Sequence, residues 1–312
     1  MKIGVSSYSF AQSFANGSMD ILDAIDWIAE SSATHLEIAD AGLVATVATL
    51  ERAAPAGSWD PAAYPDRTQN IAHDLPSQPA LVAAIRAHAE AKGVTLSNLA
   101  IGANFNSDDP AAEVARVKRY LDVAHALNIP YFRHDVVSWA RKDAGQDEFE
   151  AVFAAIVPLC QEVADYAATL GITTSIENHG FFMNNSERVR RLIYAVARPN
   201  FKTTLDIGNF LCVDELPESA VAKNLPHASV VHLKDFYIRD FVPGDGWLVT
   251  VAGNAIQGSI VGFGDLPMAR LLTLVKASGF DGPISIEYEG QVADLVAIKT
   301  GIANAQRIWS EV

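Results

Sequence analysis

Short runs of β-branched and other apolar residues alternate along the whole chain with longer segments of helical period, the pattern of repeated βα units around a parallel sheet. Eight such units are legible, with strands predicted at Ile3–Ser7, His35–Ala39, Thr95–Gly102, Tyr131–Asp135, Thr173–Glu177, Thr203–Ile207, Val230–Lys234 and Ile284–Tyr288. The spacing between them leaves room for one helix each. Helical period is clearest in Val114, Val117, Leu121 and Ala124, in Val152, Ile156, Leu159, Val163, Ala167 and Leu170, and in Leu295, Ile298, Ile302, Ala305 and Trp309. Stripes confined to one face predict helices that pack on the outside of the sheet.

No Gly/Ser linker or charge run divides the chain, and eight units in 312 residues fit one closed (β/α)8 TIM barrel, an α/β fold expected to span 1–312 as a single domain. The competing architecture, an open doubly wound sheet, normally shows a Gly-rich phosphate turn after its first strand. Here the residues that follow are YSFAQSF. A weak internal echo, SIENHG at Ser175–Gly180 and SIEYEG at Ser285–Gly290, pairs the fifth unit with the eighth. Two segments are too long for plain connections: Gly42–Ser77, which carries Trp59 and Tyr64, and Phe236–Gly264, which carries Tyr237, Phe241 and Trp247. Long loops in compact domains are usually lids or binding loops.

Composition narrows the function. Half the residues are hydrophobic and 19% are charged, enough for a full-sized core without disulfide or metal staples. A formal net charge of −14 disfavours bulk binding to nucleic acid or anionic lipid. Two cysteines, Cys160 and Cys212, make no disulfide framework and suit a reducing compartment. No stretch approaches the roughly 18 consecutive apolar residues of a membrane span. The expectation is a soluble cytoplasmic protein with no nucleic-acid or membrane partner.

A barrel strand buried on both faces is apolar throughout unless an inward position has a polar task. Four strands break that rule at their C-terminal ends, with Glu177 in ITTSIE, Asp206 in KTTLD, His232 in ASVVHLKD and Glu287 in PISIE. The neighbours Ile176, Leu205, Val231 and Ile286 are apolar and can face the helices, which turns the polar groups into the barrel mouth. Three carboxylates converging there repel one another, and a divalent cation is the simplest way to neutralise them. One histidine with three carboxylates suits one Mn2+ ion first, with Mg2+, Co2+ or Zn2+ as alternatives. Separate salt bridges at each strand end are the competing account.

The motifs SIENHG, TLDIGN, VHLKDF and SIEYEG, with the opening KIGVSSYSF and HLEIAD, resemble the xylose isomerase-like barrel superfamily, in particular its sugar-phosphate isomerase/epimerase branch. The resemblance spans essentially the whole chain. It implies that Glu177, Asp206, His232 and Glu287 bind one divalent metal and that Glu177 and Glu287 are catalytic, exchanging a substrate proton. A metal so held could chelate a carbonyl and adjacent hydroxyl of a sugar and stabilise an enediolate. Position 209 departs from the pattern: Asn209 stands where His is expected in the ketose epimerases and in the apurinic endonucleases, which counts against both and more against the nuclease.

Secondary candidates for substrate binding are Arg133, His179, Asn209, Lys234, Glu37 and Trp247. Arg133 in PYFRHD could grip a hydroxyl, carboxylate or phosphate, or pair with Asp135 or Glu177; alternation then turns His134 outward. His179 could act as acid or base, or make a loop hydrogen bond. Lys234 shares the inward parity of His232, with Asp235 orienting it. Glu37 could touch substrate or form a buried ion pair with Arg133 or Lys234. In GFGDLP, Asp265 is expected to cap the helix that Pro267 starts. The function expected is a metal-dependent isomerase or epimerase of a small sugar or sugar derivative. A lyase, dehydratase or C-glycoside-cleaving enzyme acting on a 3-keto sugar is the first alternative, and a non-catalytic carbohydrate-binding or partner-subunit barrel the second. A homo-oligomer is expected.

Overall fold

A computed structural model describes residues 2–53, 67–142 and 145–312. In chain order the strands are β1 (Ile3–Ser6), β2 (His35–Ala39), β3 (Thr95–Ile101), β4 (Tyr131–His134), β5 (Thr173–Glu177), β6 (Phe201–Asp206), β7 (Ala228–Leu233), β8 (Asp235–Arg239), β9 (Leu248–Val249), β10 (Ala255–Ser259) and β11 (Ile284–Ile286). Strands β1 to β7 and β11 are mutually parallel and close on themselves in the order β1-β11-β7-β6-β5-β4-β3-β2. The eight strands read from hydrophobic pattern are these eight, with ends shifted by two residues or fewer. Closure follows from the pairing of β1 with both β2 and β11, Val5 lying opposite Leu36 on one side and Ile286 on the other.

The helices are α1 (Ala11–Ala15), α2 (Ile21–Glu30), α3 (Val47–Ala53), α4 (Pro79–Lys92), α5 (Pro110–Ala126), α6 (Gln146–Thr169), α7 (Ser186–Val196), α8 (Pro217–Asn224), α9 (Met268–Ala277) and α10 (Asp294–Glu311). Their starts are written in the sequence. Asp20 and Asp23 form a capping box on α2, Asp109 precedes Pro110 at the head of α5, and the Asn185 side chain accepts the Glu187 amide on α7. The expected stripes face inward: Val114, Val117, Leu121 and Ala124 of α5 and Ile298, Ile302 and Ala305 of α10 are buried. Helix α6 is long and apolar enough to cross a membrane by length and composition, but Val152, Ile156, Cys160, Val163 and Ala167 pack it against the barrel.

The segment Phe236–Gly264, expected as a long loop, carries a three-stranded antiparallel sheet, β8-β10-β9, with Phe236 opposite Gly258 and Ile238 opposite Ile256. Two expectations at its edges are corrected. Asp235 does not orient Lys234; its buried carboxylate accepts the amides of Phe236, Gly262 and Gly264 at 2.8–3.0 Å and closes the segment on itself. Asp265 does not cap α9 but accepts from the Ile238 amide at 2.7 Å and from Arg239 at 3.0 Å, because β8 has unpaired donors nearby. In the other long segment, Trp59 and Tyr64 lie outside the described residues.

Candidate active site

All eight barrel strands run the same way, so their C-terminal ends meet at one mouth. Below it the interior carries polar side chains at matched heights: Asp206 of β6 stands opposite His232 of β7, and His232 opposite Ser285 of β11. Glu177, Asp206, His232 and Glu287 each present one ligand-type atom, and these atoms lie within 4.8 Å of one another. Glu177, Asp206 and His232 are buried, and the Glu287 side chain is 11% exposed.

Neighbouring residues hold each of the four in place. The Asn178 side chain accepts the Asp206 amide at 3.0 Å and donates to the Asp206 carbonyl at 2.8 Å, which clamps the end of β6 to the end of β5. Asp206 Oδ1 accepts the amides of Gly208 and Asn209 at 2.7 and 2.8 Å, and its Oδ2 makes no hydrogen bond, facing Lys234 Nζ at ion-pair distance, 3.4 Å. His232 Nε2 lies 2.9 Å from Glu37, so the imidazole donates there and turns Nδ1 toward Glu177 and Glu287, at 3.6 and 3.5 Å. Ser9 anchors the strand end that carries Glu287, donating to the Ile286 carbonyl and accepting the Tyr288 amide.

Two obligate cations flank the cluster. Arg133 Nη2 lies 2.7 Å from Glu177 and 2.8 Å from Asp135. Lys234 Nζ lies 2.7 Å from Glu287, 3.0 Å from Glu289 and 3.4 Å from Asp206. These contacts set the protonation pattern. Burial raises the Glu177 carboxyl, but Arg133 and His232 together outweigh it and bring the group to about 2. Burial likewise opposes ionisation of Glu287, and Lys234 and His232 hold it well below the usual carboxylate range. Asp206, whose burial is less fully compensated, is pushed up to about 7. Both glutamates are therefore ionised at neutral pH.

Glu177 and Glu287 line a cavity of about 370 Å³ whose walls include Tyr8, Trp139, Phe236 and Leu248, whereas Asp206 and His232 are absent from its wall. Arg133, His179, Asn209 and Lys234 line it; Arg133, Asn209 and Lys234 also contact the cluster, whereas His179 meets Asp135 and Arg133. Asn209 donates to Glu177 at 3.0 Å and accepts from Lys234 at 3.3 Å. Two expected contacts are corrected. Glu37 is absent from the cavity wall because it lies beneath His232 and is fully buried against it and Ser285, not against Arg133 or Lys234. Trp247 is also absent from the wall, its ring packing near the Arg239 guanidinium; the neighbouring Leu248 reaches the cavity instead. His134 faces outward into Phe105, Phe132 and Phe201, as alternation requires.

Sequence reasoning missed Glu289, Tyr8 and Trp139 on the wall. Glu289 lies past a strand end, since β11 stops at Ile286. Tyr8 and Trp139 likewise lie beyond strand ends, where alternation no longer applies.

The residues present fit a divalent ion. Asp206 Oδ2 and His232 Nδ1 are buried with no hydrogen-bond partner, and both belong to the four-atom cluster. Three carboxylates with one imidazole form an oxygen-rich donor set suited to Mn2+ or Mg2+.

A model of the xylose isomerase-like TIM barrel family matches residues 51–309. The chain belongs to that family. Solved structures agree on the fold at low identity. A xylose isomerase-like TIM barrel protein from Mycobacterium smegmatis in complex with magnesium is 16% identical with a TM-score of 0.67, covering 99% of this chain and 97% of that one. D-Psicose 3-epimerase from Clostridium cellulolyticum H10, solved with D-tagatose, is 15% identical with a TM-score of 0.68, covering 99% of both chains. The 3-keto-D-glucoside 4-epimerase of E. coli is 12% identical with a TM-score of 0.66, covering 98% of this chain and 99% of that one. No curated protein sequence matches the chain.

Proposed function

We propose that the protein is a divalent-metal-dependent isomerase or epimerase of a small sugar or sugar derivative. The observation that carries this reading is the convergence of Glu177, Asp206, His232 and Glu287 within 4.8 Å, with the two glutamates lining a cavity that has aromatic walls. Two of the fold neighbours are named as sugar epimerases and a third was solved with magnesium, which supports it. Glu177, Asp206, His232 and Glu287 would hold the ion, which when bound would polarise a substrate carbonyl and stabilise charge developing on its oxygen.

The chain's own residues supply the proton chemistry. Glu177 and Glu287, both ionised at neutral pH, are the bases for the carbon next to that carbonyl. One takes the proton, and the other, acting from the second face, returns it with inverted configuration. Arg133 and Lys234 keep these carboxylates charged and oriented, and the walls formed by Tyr8, Trp139 and Phe236 exclude water and pack against the carbon face of a sugar.

A specific observation also favours elimination as a second outcome of the same proton abstraction. His179 lines the cavity beside Asp135, at 3.2 Å; burial opposes its charge, but Asp135 raises its pKa, making it an acid able to protonate a leaving group. The test is incubation of Mn2+-loaded protein in D2O with a panel of ketoses, aldoses and 3-keto sugars. At least one should gain deuterium next to its carbonyl, and Glu177→Gln and Glu287→Gln should each slow that exchange by about 100-fold or more. Product analysis separates epimer from unsaturated sugar. Sugar binding without exchange, undiminished in Glu287→Gln, would establish a non-catalytic barrel instead.

A further inference from the structure

Whether this site accepts a charged sugar is decided by which positive groups are free to meet one. Among the described residues the cations on the cavity wall are Arg133, Lys234 and His179, and each is already held by carboxylates. Arg133 is taken by Asp135 and Glu177, Lys234 by Glu287, Glu289 and Asp206, and His179 by Asp135. Glu37 lies directly behind His232. A dication added to this set still leaves the carboxylates in excess.

Backbone amides could supply what side chains do not. In TIM barrels phosphate is usually received by the connections after the seventh and eighth strands, where clustered N–H groups form an anion-binding nest. Here the connection after β7 builds such a cluster and then fills it from within. The amides of Phe236, Gly262, Gly264 and Leu266 all point at the buried Asp235 carboxylate, at 2.9, 2.8, 3.0 and 3.4 Å. The connection after β11 carries Glu287 and Glu289, and the first turn of α10 holds Asp294, which accepts the Leu295 amide at 2.8 Å. The first of these places is filled by the protein's own Asp235, and the second carries three acidic side chains, Glu287, Glu289 and Asp294.

We infer that the substrate is an uncharged sugar or sugar derivative, and that the site rejects phosphorylated and carboxylated analogues. This departs from the sugar-phosphate branch that the motifs resemble, and it rests on the proposed proton-transfer reading for its catalytic meaning but not for its binding prediction.

The test pairs D-fructose with D-fructose 6-phosphate and D-glucose with D-glucuronate on the Mn2+-loaded protein, reading solvent deuterium uptake by mass spectrometry and binding by calorimetry, with inorganic phosphate as a separate titrant. The neutral member of a pair should bind or exchange about tenfold or more better than its charged partner, and phosphate should show no saturable binding in the cavity. Glu289→Gln, which releases Lys234 from one carboxylate, should narrow the gap for the phosphorylated sugar by about threefold or more. A phosphorylated sugar that binds or exchanges as well as its neutral partner overturns the inference, as does saturable phosphate binding that competes with a neutral sugar. An unchanged gap in Glu289→Gln overturns its electrostatic cause. Neutral-selective binding with no deuterium uptake in any pair supports the charge selectivity while removing the proton-transfer reading, and absence of binding by every sugar overturns both.

Discussion

His232 shows how much a single buried contact can decide. An imidazole offers one lone pair and one N–H, and the hydrogen bond on one nitrogen sets what the other can do. Glu37, fully buried 2.9 Å from Nε2, commits that nitrogen as the donor and leaves Nδ1 for the acidic cluster. Read from the chain alone, Glu37 is an inward acid that could touch substrate; its contribution lies one layer deeper, in orienting His232. Glu37→Gln keeps the shape but loses the charge that holds the N–H, and should weaken Mn2+ affinity by about 10–100-fold in calorimetry while leaving the far-ultraviolet circular dichroism unchanged. Unaltered affinity would show that His232 needs no such support.

Between elements, the strand ends are tied to each other by side chains that take no part in the regular pairing. Asn178, the residue after β5, uses both ends of its amide on the backbone of Asp206 at the end of β6. Asn184 continues the tie, donating to the carbonyls of Gly180 and Asn209 at 2.7 Å each. Parallel pairing alone leaves strand ends free to fray, and these amides replace the missing ladder bonds where the site needs rigidity. Asn178→Ala strips two buried backbone groups of their partners and should cost about 2–4 kcal/mol, read as a lower denaturation midpoint at constant m-value. Weaker Mn2+ binding should accompany it, since Asp206 loses its fixed position.

At the scale of the whole molecule, polar groups are divided between the barrel mouth and a few deeply buried sites in the core, and a histidine in each place responds to pH in the opposite way. His134 is enclosed by aromatic rings, where burial brings its imidazole down to about 4. In the unfolded chain the same group titrates near 6.5. Between those values the unfolded state holds a proton that the folded state refuses, so this contribution is complete above about pH 6.5 and is lost as pH falls toward 4. His134→Phe, which suits the aromatic surroundings, should flatten the acid limb of the stability curve measured by urea unfolding between pH 7 and 4.5. An unchanged limb would place acid sensitivity elsewhere. At the mouth Glu37 and Glu287 outweigh burial and raise His232 well above its ordinary value, the reverse sign, so stability measurements should be made at fixed ion content.

The chain by itself determined the repeating βα pattern, the eight barrel strands to within two residues and the four polar residues that meet at one mouth, because alternation and period are local properties of a backbone with fixed geometry. It also carried the turning of His134 away from Arg133. What only the tertiary structure decided are matters of distance between residues far apart in sequence. Glu37 meets His232 across 195 positions, Asp235 turns from a neighbour of Lys234 into the closure of its own loop, and Leu248 rather than Trp247 reaches the cavity. Hydrophobic pattern specifies which face of a strand is buried, whereas the partner a buried charge finds depends on how the barrel closes and on where the excursion β8-β10-β9 comes to rest, and neither is encoded in any local run of residues.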